Sequence, residues 1–144
     1  MTKRNLYEEF IDRIDQYVSS GHFFEASWYV YAVLEDRMIS MLQNSGGATQ
    51  SNGQPIRMLG PKLTTLQNRT TSDSLLAANF PYTKLVSWKD RRNSLMHAMA
   101  EGTMNIQQID SDAEALATDG QDLIREICSG ATRLKKHRNK VQTD

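Results

Sequence analysis

Apolar side chains along this chain recur three and four residues apart, the spacing of helices that bury one face. Leu6, Phe10, Ile14 and Val18 mark a first helix over residues 5–18, with Gly21 as its stop. An aromatic-rich series, Phe24, Trp28, Tyr31, Leu34, Met38 and Leu42, predicts a long second helix over Phe23–Gln43 with no internal Gly or Pro. Residues 44–55 are polar, contain Gly46, Gly47 and Gly53, and read as a mobile loop. After Pro61, Leu63 and Leu66 predict a shorter helix, whose continuation to Leu75 and Leu76 is weakened by the Thr, Ser and Asp residues at 70–73. Pro81 suits the first turn of a helix through Leu85, Trp88, Leu95, Met96 and Met99, which Gly102 stops. A last helix is expected to open at Ser111, spaced from Glu114 as in a capping box, and to run through Leu116, Leu123, Ile127, Ala131 and Leu134, loosened at Gly120 and Gly130. No alternating strand pattern or hairpin signal stands out. The pattern predicts an all-α protein, an antiparallel bundle of four to five helices forming a single domain over residues 1–144. In that bundle Trp28, Tyr31 and Trp88 read as core, and Met38, Met41, Met96 and Met99 as gap-filling core or interface residues.

Composition agrees with a globular chain: 39% of residues are hydrophobic and 24% charged, which excludes a disordered or fibrous polymer. Seventeen basic and seventeen acidic side chains cancel, so attraction to a polyanion has to be local. The local source is the basic tail at residues 135–144, entered through Arg133, with a solvated helix end as the simpler reading. Cys128 stands alone, and His22, His97 and His137 are scattered, so neither an intrachain disulfide nor a zinc-ligand spacing appears and no cofactor is implied. The opening residues lead into an amphipathic pattern rather than a signal-peptide core, and no apolar stretch approaches the ~20 residues of a membrane span. A cytoplasmic protein with no membrane partner is the expectation.

Candidate chemistry concentrates in Arg92-Asn93-Ser94-Leu95-Met96-His97. On a helical wheel of about 100° per residue, Leu85, Trp88, Leu95, Met96 and Met99 fall in one arc, and Arg92 projects into it. A guanidinium there requires a partner, because burying an unpaired charge costs several kcal/mol. Asp90, Asn93 and His97 line a neighbouring stripe, where Asn93 could hydrogen-bond the imidazole and Asp90 favour its protonated form.

An arginine followed by a polar residue, with a histidine after four intervening positions, resembles the motif of HEPN domains, helical bundles found in many ribonucleases and toxins. Arg92, Asn93 and His97 match it, on a late helix that follows two long N-terminal ones, and the stretch from Trp28 to Arg37 is loosely similar in its aromatic-then-acidic order. The resemblance implies a homodimer through the motif helix and a composite site for metal-independent RNA cleavage. His97 would act as general base or acid, Arg92 would clamp the phosphate, and Asn93 would orient His97 or the phosphate. It further implies a role in phage defence, abortive infection or a toxin–antitoxin pair, with an antitoxin or defence-system partner. Many toxin-like members carry a tyrosine two residues after the histidine. Met99 stands there, so that residue's role does not transfer.

Other readings coexist with this one. A HEPN domain without catalysis could serve as an RNA-binding or dimerisation module in a larger defence assembly. In a helical adaptor with an accidental match, His97 would be structural and Arg92 would pair with Glu35 or Asp36.

Overall fold

The computed structural model describes residues 2–143, apart from the side chains of 3–5 and 141–143. It is all-helical, with six helices: α1 Lys3–Ser19, α2 Phe23–Gln43, α3 Leu59–Thr70, α4 Ser74–Asn79, α5 Tyr82–Glu101 and α6 Ile106–Thr143. Among the described residues the one extended pairing is an isolated bridge between Thr49 and Pro55. No helix there is long and apolar enough to cross a membrane.

Local chemistry explains the ends. α1 stops at Gly21, whose φ of 80° suits a residue without Cβ; its N–H reaches the Val18 carbonyl at 3.2 Å and the His22 N–H reaches that of Tyr17 at 2.8 Å. The same double closure ends α5 at Gly102, through Met99 and Ala98. The predicted start of the last helix at Ser111 is corrected: α6 opens at Ile106, because Asn105 and Gln108 cap it reciprocally. The Asn105 N–H donates to Gln108 Oε1, and the Gln108 N–H to Asn105 Oδ1, both at 2.9 Å. Ser111 and Glu114 lie inside the helix.

The chain divides into two compact units. The first comprises residues 1–33 and 87–124, thus α1 and parts of α2, α5 and α6. Its core is built on Ile14, Val30, Val33, Trp88, Leu95, Leu116 and Ile124, each such side chain contributing roughly 1.5–3 kcal/mol by burial. Trp88 Nε1–H donates to the Leu116 carbonyl at 2.8 Å, satisfying the indole inside the core. Gly120 fits this seat: a Cβ there would lie 2.8 Å from Val30 Cγ1 and 3.2 Å from Trp88 Nε1. The expectation that Gly120 loosens the helix is therefore reversed, since its missing side chain permits close approach.

The second unit comprises residues 34–86 and 125–144. Leu34, Met38, Met41 and Leu42 of α2 are buried in it with Leu59, Leu63 and Leu66 of α3, Leu76 of α4, and Ile127 and Leu134 of α6. The predicted helix after Pro61 is split, because Asp73 caps α4 by accepting from the Leu76 N–H at 3.0 Å. Gly130, like Gly120, marks a contact: a Cβ there would stand 2.3 Å from the Asn79 carbonyl oxygen. Residues 44–55 contain a paired turn. The Gln50 N–H donates to the Gln54 carbonyl at 2.7 Å and that of Ile56 to Ala48 at 2.9 Å, around an Asn52-Gly53 turn with Gly53 at φ 83°. Arg69 fastens the preceding helix end by donating to the carbonyls of Leu42 at 3.0 Å and Gly47 at 2.8 Å and to Ser45 Oγ at 3.2 Å. Lys62 is buried against Glu35 at 2.9 Å.

Candidate functional site

Two buried residues fix the rotation of α5 and thereby place the motif. Trp88 and Leu95 face the core of the first unit, so Arg92, one turn after Trp88, leans toward that side, whereas Asn93 and His97 are turned to solvent and exposed. At about 100° per residue, Asn93 and His97 lie ~40° apart and Arg92 lies ~140° from His97. Asn93 and His97 share a face that Arg92 does not join.

The predicted polar stripe is present as a surface, but not as a network. Neither Asn93 nor His97 makes a side-chain hydrogen bond to a described residue, so the expected Asn93 to His97 bond is absent. Asp90 is exposed and paired with its neighbour Lys89 at 3.3 Å.

Arg92 has found an aromatic surface instead of an acid. Its guanidinium carbon sits 4.2 Å from the ring centroid of Tyr31, within cation–π range. Arg92 Nε is buried without a hydrogen-bond partner, the one such side-chain nitrogen or oxygen among the described residues. The alternative pairing with Glu35 or Asp36 is not formed: Glu35 is held by Lys62 and Asp36 by Arg37, at 2.9 Å each. The ring face offsets part of the charge desolvation, but it cannot accept the Nε–H in its plane.

Beside the motif helix runs an open groove of about 680 Å³ whose lining includes Tyr17, Phe24, Glu25, Trp28, Tyr29 and Met99. Trp28 is 65% exposed and Met99 41%, which corrects the assignment of Trp28 to the core. The reason is visible in α2. Ala26, Val30 and Val33 form the buried face, and Trp28 projects well outside that arc. Of the aromatics read as core, Trp88 is buried and Tyr31 half-buried beneath Arg92. Tyr17 and Tyr29 stack with centroids 5.7 Å apart. The Arg13 guanidinium donates to Tyr29 Oη at 3.1 Å and to Glu9 at 2.8 Å, contacts that hold its pKa above the ordinary value. Sequence reasoning missed the Tyr31 seat; the uniformly small and branched Ala26–Val30–Val33 series was the signal that the aromatics of α2 lie on another side.

The unit carrying the motif holds twelve acidic and six basic side chains, a formal charge of −6. Arg91 is engaged with Asp119 at 2.7 Å. No cluster of three or more His, Cys, Asp or Glu that could hold a metal occurs among the described residues. Cys128, in the second unit, is half-buried, and burial pushes its thiol pKa up, which keeps it protonated at neutral pH.

Comparison of the chain with protein-family models, curated proteins and solved structures gives no match.

Proposed function

We propose that the chain is a HEPN-type domain that acts as a dimer in metal-independent RNA cleavage, in the setting of phage defence, abortive infection or a toxin–antitoxin pair. The observation that carries the reading is the motif itself, Arg92-Asn93 with His97 after four intervening residues, presented with Asn93 and His97 open to solvent. Arg92 and His97 of one copy diverge by ~140° around α5, so they do not close on one phosphate within a single copy. Pairing two motif helices about a twofold axis would set Arg92 of each copy toward His97 of the other.

In the proposed reaction the ribose 2′-oxygen attacks the adjacent phosphorus as His97 of one copy accepts the hydroxyl proton. The bond from phosphorus to the 5′-oxygen breaks, and that oxygen takes a proton from the second imidazole or from water. The products are a 2′,3′-cyclic phosphate and a 5′-hydroxyl. Arg92 binds the non-bridging oxygens as their charge grows. Asn93, next to His97 on the surface, orients the phosphate or the imidazole.

The test is incubation of the purified protein with mixed RNA in EDTA beside His97→Ala and Arg92→Ala. Loss of a proton-transfer group should slow cleavage by ~10²–10⁴-fold, and cyclic phosphate ends should vanish with it. Cleavage that persists in either variant contradicts the mechanism. The seat of Arg92 on Tyr31 favours a second reading, a non-catalytic RNA-binding or dimerisation module in which Arg92 is structural. There the Arg92→Ala protein would lose thermal stability while RNA stayed intact in every sample.

A further inference from the structure

The second unit is as basic as the first is acidic. It holds eleven basic and five acidic side chains, a formal charge of +6. Each of its described acids already has a cation: Glu35 has Lys62, Asp36 has Arg37, Asp73 has Arg138 and Glu126 has Lys84. The excess concentrates on α6, where residues 127–143 contain no acidic side chain.

The excess is also sorted by face. Leu134 is buried, and Arg138 turns inward to Asp73 and the Asn44 carbonyl. Arg133, Lys136, His137 and Lys140 fall at intervals of three, four and seven on the opposite side and are all exposed. They form a stripe of about 10 Å at 1.5 Å per residue, enough to meet neighbouring phosphates of one strand. Compensation of the helix dipole does not explain it, because that effect is confined to the last turn, where Lys140 is the basic residue. Arg133 and Lys136 lie further back. Arg133 donates its Nε–H to Asn79 at 2.7 Å, which orients the guanidinium and leaves its terminal nitrogens available.

We infer that this stripe of α6 is a docking surface for the phosphate backbone of single-stranded RNA. The choice of RNA rests on the reaction proposed above; the charge complementarity rests on the stripe alone. A polyanion repelled by the acidic motif unit gains its affinity here, through counterion release rather than base reading.

The measurement uses a 2′-O-methyl RNA oligonucleotide, which has no 2′-hydroxyl to attack and so separates binding from cutting. Its affinity is followed across a salt series for the wild type, for Lys136→Gln and for Lys136→Arg. Each phosphate contact to a single strand contributes about 0.7 to the slope of log K against log salt, so the glutamine variant should lose about 0.7 of that slope and the arginine variant none. A glutamine variant with the wild-type slope, or a wild type that does not bind the strand, overturns the inference. So does a stripe that serves an anionic membrane, seen as glutamine-sensitive binding to phosphatidylserine-containing vesicles with RNA affinity unchanged. The two proposals fail separately. Salt-sensitive binding of the modified strand with unmodified RNA left whole retains the docking surface and removes the nuclease; cutting with an unchanged slope does the reverse.

Discussion

The two units solve the same packing problem with opposite charge. In the first, acids outnumber bases by twelve to six and the notable cation, Arg92, lies on a tyrosine face; in the second, bases outnumber acids by eleven to five and the acids are all engaged where described. A net charge of zero hides this division, so the bulk argument that the protein exerts no general pull on a polyanion holds for the chain and fails for its halves. The units also differ in what lets helices approach. A side chain at Gly120 would meet other side chains, whereas one at Gly130 would meet the Asn79 backbone, which cannot rotate away.

That contrast can be tested by stability. Gly130→Ala should cost the most, about 3 kcal/mol, because overpacking against a carbonyl outweighs the roughly 1 kcal/mol that alanine gains over glycine in a helix. Urea unfolding gives the number, and a neutral or stabilising result would mean that the second unit shifts freely. Arg69→Ala comes next, at about 2 kcal/mol, for the loss of three charge-assisted hydrogen bonds at the end of α2. Gly120→Ala should cost about 1–2 kcal/mol, as Val30 and Trp88 yield partway. If it matches Gly130→Ala, the distinction between yielding and fixed neighbours breaks. Met58→Gly should move the other way. Met58 has φ 68° and ψ 155°, a region that suits glycine, and relief of that strain should raise stability by about 1 kcal/mol. Trp28→Ala should change the unfolding midpoint least, within roughly 0.5 kcal/mol, since an exposed indole has little burial to lose; a large loss would return Trp28 to a structural role.

Periodicity alone located α1, α2 and α5, because long amphipathic runs with glycine stops leave few alternatives. What it could not resolve depended on partners distant in sequence. Gly120 and Gly130 look like weak points until Val30 and Asn79 are placed against them. Ser111 and Glu114 carry the commoner side chains of a capping box, but Asn105 and Gln108 make the reciprocal bonds. The Asn52-Gly53 turn is legible in the dipeptide itself. At the site, the rotation of α5 was legible from Trp88 and Leu95, which placed Arg92 near the core and His97 outside. The Tyr31 ring under Arg92 was not, since it required knowing which face of α2 is buried.

Lys62 gives the second unit an internal reporter. Of the seven lysines it is only 2% exposed, with its ammonium closed against Glu35. An amine-acylating reagent will spare it while the unit stays closed. Its modification, followed by peptide mass mapping, therefore times the opening of that unit against the rapid labelling of Lys136, and a ligand that holds the unit shut will lengthen the delay.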